Sequence, residues 1–95
     1  MPAISRLGDV CSGHGCYPDR PSVSAASTVF VNGVAVHRLG DAWDSHCCGP
    51  VCHDGQTSGA SATVFVEGMG VARIGDPVDC GSSIAQGSGD VFAGG

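Results

Sequence analysis

The clearest apolar bursts in this chain are Val29-Phe30-Val31 and Val64-Phe65-Val66. Both are short, β-branched and aromatic, and read as strands. Each is followed by a turn signal: Asn32-Gly33 is a strong type I′ pair, and Glu67-Gly68 a weaker variant. A second strand is predicted over Ala35–Leu39 and over Gly70–Ile74. Gly-Asp then ends each unit, where glycine permits positive φ and Asp bonds the local backbone. The pattern therefore predicts small β-hairpins.

The two hairpins are copies. Thr28–Asp41 (TVFVNGVAVHRLGD) and Thr63–Asp76 (TVFVEGMGVARIGD) lie 35 residues apart and agree at nine of 14 positions. Arg6-Leu7-Gly8-Asp9 opens the chain with the second half of this unit, and Asp90–Gly95 closes it with the first half. The ends thus read as two halves of a third unit. Three units can close a ring, so the expected fold is all-β, with hairpins about a pseudo-threefold axis. Two inserts, Cys11–Ser27 and Ala42–Ala62, are rich in Gly, Pro, Ser, Cys and His and read as loops. They hold nearly every residue able to bind a metal, and loops of this length are usually functional.

Composition agrees with an all-β reading. Glycine is the commonest residue at 16, Leu occurs twice, and only 14% of residues are charged. A helical bundle needs Glu, Lys and Arg on its solvent faces, and this chain has one Glu and no Lys. With four Arg and a net charge of −5 it is a poor binder of nucleic-acid backbones. At 42% hydrophobic residues it can support a core, so disorder is not expected. The 95 residues are about the size of one small domain, taken as 1–95. The first ten residues lack the charged and apolar regions of a secretory signal, and no apolar run approaches the roughly 18 residues of a membrane span. Synthesis in the cytoplasm, or export without a cleaved signal, is the expectation. Six Cys without a signal point first to a metal site, which a small domain with a thin core can use as a staple.

Catalytic patterns are missing. There is no G-x-S-x-G, no H-E-x-x-H, no phosphate-binding glycine loop after a strand, and no Cys-x-x-Cys. The repeat instead singles out metal ligands. His14 and His46 each lie five residues after the Gly-Asp of their unit, and Cys80 lies four after its own. About a threefold axis these side chains would converge as the base of a tetrahedron. The second insert supplies the fourth donor: His53 is the choice, seven residues after His46, with Cys52 and Cys48 as rivals. Zinc suits a His3Cys set.

Other residues have plainer readings. His37 aligns with Ala72 and is expected to point outward from its strand. Trp43 is expected in a core or interface. Phe30, Phe65 and Phe92 occupy equivalent positions and are expected in the core, with docking to a partner as the alternative. In the R-L/I-G-D segments the Arg is expected to lie over a neighbouring strand. Cys11, Cys16, Cys47, Cys48 and Cys52 read as packing residues or local disulfides.

The A-x-x-R-x-G-D hairpins, the G-H-G-C-Y-P segment at Gly13–Pro18 and the D-C-G-S-S segment at Asp79–Ser83 together resemble PAAR-repeat proteins, over essentially the whole chain. The literal Pro-Ala-Ala-Arg is replaced by Ala35-Val36-His37-Arg38 and Gly70-Val71-Ala72-Arg73. The resemblance implies a non-catalytic, cone-shaped tip on a trimeric VgrG-type spike of a type VI secretion system, or on the central spike of a contractile phage tail. It implies one zinc near the apex, held by His14, His46, His53 and Cys80. It further implies a stand-alone tip that pierces a target membrane, delivers effectors and is secreted by a contractile apparatus or forms part of a virion tail. With two full hairpins and a split third unit, the expectation is a monomer bound at one copy per spike trimer. The competing expectations are a small zinc-dependent hydrolase with an open metal position and a disulfide-stapled secreted domain.

Overall fold

The computed structural model describes all 95 residues, and every regular element in it is a strand. The first hairpin pairs β1 (Phe30–Val31) with β2 (Val34–Ala35), and its counterpart pairs β5 (Phe65–Val66) with β6 (Met69–Gly70). Their turns have the positive φ at both central positions that a type I′ turn requires: 55° and 76° at Asn32-Gly33, 54° and 82° at Glu67-Gly68. The strands are only two residues long because the chain then leaves its own hairpin. Val36 bridges to Arg6 and Arg38 to Val71, each in another unit.

Those departures join the three units in a closed cycle. The Ser5 N–H donates to the Ala72 carbonyl at 2.9 Å, the Ala72 N–H to that of His37 at 3.0 Å, and the His37 N–H to that of Ser5 at 3.1 Å. All three residues are fully buried. A second set repeats the pattern, from Leu7 to Ala35, Leu39 to Gly70 and Ile74 to Ala3. The residues preceding the ring, Ile4, Val36 and Val71, pack with Ala26, Val66 and Ala93 in one apolar cluster. A second cluster holds Cys11, Trp43, Ala72, Val78 and Ile84. The molecule measures 38 × 23 × 23 Å, long in one direction and equal in the other two.

Each unit closes on the same ion pair. Arg6–Asp9, Arg38–Asp41 and Arg73–Asp76 meet at 2.9–3.0 Å, and the Arg backbone N–H donates to the same carboxylate in every case. The Arg side chains are therefore held in bidentate forks rather than simply laid over a strand.

Two expectations are corrected here. The second insert is not a loop: β3 (Ala42–Cys48) and β4 (Val51–Gln56) form the longest hairpin in the molecule. Its sequence is poor in strand formers, but Cys47 and Cys52 face each other in register and are joined by a disulfide. A register shift between Trp43 and His46 adds the residue needed for both to point inward although they are three apart. The phenylalanines are also not core. Phe30, Phe65 and Phe92 are 58%, 60% and 49% exposed. Phe30 and Phe65 lie in two-residue strands and Phe92 in a single bridge to Ala3, and in each case the residue that follows, Val31, Val66 or Ala93, turns toward the core instead.

Candidate metal centre

Four side chains drawn from three parts of the chain converge at one point. His46 on β3 and His53 on β4 are direct cross-strand partners. His14 sits in a tight turn in which its N–H and C=O both bond to Tyr17, at 3.1 and 2.8 Å. Only glycine fits before it, since a Cβ on Gly13 would lie 2.5 Å from the Tyr17 carbonyl oxygen. Cys80 lies in the turn closed by the Val78 N–H to the Ser82 carbonyl at 2.8 Å. The ligand atoms of His14, His46, His53 and Cys80 all lie within 4.8 Å of one another.

The donor atoms have the right chemistry to hold a metal ion. The Nδ1 of His46 lies 2.8 Å from the Pro18 carbonyl, to which it donates, so its Nε2 carries a lone pair. That Nε2 is 2.6 Å from the Nε2 of His53, which is 3.1 Å from the Nε2 of His14. A cation among the three nitrogens would take one lone pair from each, and tetrahedral zinc at its usual Zn–N distances places two nitrogens about 3.3 Å apart. Burial first, and then the nearby Arg20 guanidinium, hold the His53 imidazole below its ordinary pKa, which favours the neutral, ligating form.

Surrounding groups fix the site. The Tyr17 ring lies over it, with centroids 4.3–4.8 Å from the three imidazoles. The Cys16–Cys48 disulfide ties the His14 turn to β3, and Cys47–Cys52 closes the tip of the β3–β4 hairpin. Cys48 and Cys52, the rival fourth ligands, are thus engaged elsewhere. Cys11 is a buried free thiol in the core.

His37 is absent from this cluster, and its expected outward position is corrected. It is fully buried, with Nδ1 at 3.0 Å from the Ser24 carbonyl and Nε2 at 2.6 Å from the Thr57 hydroxyl. Two residues escaped the sequence reading. Tyr17 was hidden among turn residues. Arg20, which donates to the Cys80 sulfur at 2.8 Å, carried a visible signal: it is the one Arg without an Asp three residues later.

No curated protein sequence matches the chain. The family model described as PAAR motif matches residues 45–95, which include His46, His53, Cys80 and the second full hairpin. That match covers more than half of the sequence, and the chain belongs to the PAAR-motif family.

Proposed function

We propose that this chain is a non-catalytic tip that caps and sharpens a trimeric β-helical spike, of the VgrG type or of a phage tail. The observation that carries the proposal is the closed cycle of backbone bonds through Ser5, Ala72 and His37, in a chain of the PAAR-motif family. A single chain built as three bonded units has a pseudo-threefold axis, and can sit on the true axis of a trimer with similar contacts to each subunit. Phe30, Phe65 and Phe92 supply three equivalent exposed apolar groups for that contact. Burying them against the spike would also cover the short hairpin edges. In this reading the free protein is a monomeric cone, and the assembled spike carries it through a target membrane with its effectors.

One structural zinc fits the reading, held by His14, His46, His53 and Cys80. Zinc is favoured by the mixed imidazole and thiolate donors. Four protein donors fill a tetrahedron, so the position that a hydrolytic water would need is taken. A zinc in this place ties the β3–β4 hairpin, the His14 turn and the Cys80 turn together, beside a core cluster of only five buried residues.

Native mass spectrometry of the tip mixed with its cognate spike tests the proposal. One tip per spike trimer is expected, and the complex should persist at high salt because the contact is apolar. Three tips per trimer, or no complex, would contradict it.

A further inference from the structure

Three of the four arginines are paired with the Asp three residues on, and the fourth is different. Arg20 is only 3% exposed and no carboxylate lies within salt-bridge distance of it. Its Nη1 donates to the carbonyls of Asp44 on β3 at 2.9 Å and His53 on β4 at 3.3 Å. Its Nη2 donates to the Cys80 sulfur at 2.8 Å. Its Nε is buried without a partner. The nearby Asp79 carboxylate is used otherwise, accepting the Gln56 N–H at 2.9 Å. A buried guanidinium is costly unless its charge is met. The sulfur of Cys80 is the one side-chain acceptor it touches, and a metal-bound cysteine is a thiolate.

The strand beside it is shaped for this contact. A Cβ on Gly55 would lie 2.6 Å from Arg20 Nη2, 3.1 Å from Val78 Cγ1 and 3.2 Å from Asp79 Oδ1. Gly55 has no left-handed φ to explain it, so its lack of a side chain serves the space that the guanidinium fills.

We propose that Arg20 is a positioning residue of the metal centre: its guanidinium fork, seated in the space left by Gly55, fixes the Cys80 sulfur and the β4 backbone at His53 relative to each other, and gives an N–H···S bond to the metal-bound sulfur. The inference rests on the metal-binding reading above. It accounts for a cation placed beside a cation site, because the guanidinium faces the thiolate. Ser82 is a poorer candidate for the same task, with its hydroxyl 3.7 Å from the sulfur.

Full-length wild-type protein, Arg20→Gln, Arg20→Lys and Gly55→Ala are compared by zinc affinity in chelator competition and by the sulfur-to-metal charge-transfer bands of the cobalt-substituted forms. Arg20→Gln is expected to bind zinc about ten- to a hundredfold more weakly and to shift those bands. Arg20→Lys should recover part of both effects, and Gly55→Ala should resemble Arg20→Gln. A purely structural arginine would lower the unfolding midpoints of metal-free and loaded protein equally and leave the cobalt bands unmoved, which would overturn the proposal. Should Arg20→Gln fail to fold, NMR of isotope-labelled wild-type protein loaded with NMR-active cadmium decides. A through-bond coupling from the Arg20 guanidinium protons across sulfur to the metal is expected, and its absence overturns the proposal. Wild-type protein that takes up no metal would overturn both this inference and the metal reading. Wild-type protein that binds one metal beside an Arg20→Gln protein of equal affinity and identical spectrum would overturn this inference alone.

Discussion

The imidazole of His37 and the hydroxyl of Thr57 lie 2.6 Å apart in the interior, and the Trp43 indole N–H donates to the same hydroxyl at 2.9 Å. The bonding order follows. The Ser24 carbonyl can only accept, so His37 Nδ1 carries the proton; Nε2 of the neutral ring then accepts the Thr57 O–H, while the Thr57 oxygen accepts from Trp43. His37 is thus a neutral, fully bonded core histidine, not a spare residue of the strand. His37→Ala should cost about 2–4 kcal/mol, through the cavity left and the partners stranded. Denaturant unfolding of the metal-loaded protein checks this. A change below about 0.5 kcal/mol, the level of an ordinary surface substitution, would contradict it. Metal content should stay at the wild-type level.

The same residue gives a pH dependence. Burial holds the His37 pKa below its ordinary value, partly offset by its bond to the Ser24 carbonyl. The folded state therefore favours the neutral ring. The resulting stability is complete above the unfolded-state pKa of about 6.5 and declines as pH falls from there toward the lower folded-state value. Zinc binding also weakens as pH falls, because ligands must be deprotonated to bind a metal. The comparison must therefore be between wild type and His37→Gln, both saturated with zinc. The variant should show the shallower fall in stability between about pH 6.5 and pH 5. Parallel curves would show that His37 is not the group responsible.

Removing any one of His14, His46, His53 or Cys80 as Ala should abolish stoichiometric metal binding. Each variant should also unfold at a markedly lower temperature, since structural zinc contributes on the order of 10 kcal/mol in small metal-stabilised folds. Cys11→Ala should keep the metal, because Cys11 lies in the second core cluster and not in the site. Retention of metal by His53→Ala would show that another donor completes the set.

The three phenylalanines should separate folding from docking. Replacing Phe30, Phe65 and Phe92 together by Ser should change stability by no more than about 0.5 kcal/mol per site, as expected for exposed positions. Spike binding should be lost. Size-exclusion chromatography and thermal melts report the first outcome, and co-purification with the spike reports the second. Undiminished binding would place the contact elsewhere on the surface.

The hairpins β1–β2 and β5–β6 were legible because their turns carry the residues that tolerate positive φ, and because the sequence repeats them. The convergence of His14, His46 and Cys80 was legible for the same reason: similar spacing from an equivalent Gly-Asp, five residues for the two histidines and four for Cys80, brings side chains to neighbouring points. Repetition misled at His37. The backbone of Ala72 matches it, but Ser24, Thr57 and Trp43 come from inserts that differ between the units. The hairpin β3–β4 was not legible, because a disulfide and a bulge make up for a sequence without strand formers. Whether Phe30, Phe65 and Phe92 faced in or out depended on strand length, which no residue pattern announced. The partners of Arg20 are scattered from residue 44 to residue 80, so only its missing Asp hinted at a different role.

His14, His46, His53 and Cys80, brought together from three parts of the chain, are expected to hold one metal ion. Elemental analysis of folded protein, purified without added metal or chelator, tests it most directly. Close to one zinc per chain is expected, released together with cooperative loss of the fold on treatment with a strong chelator. Folded protein with a zinc content near zero, and a melting temperature that added zinc does not raise, would contradict it.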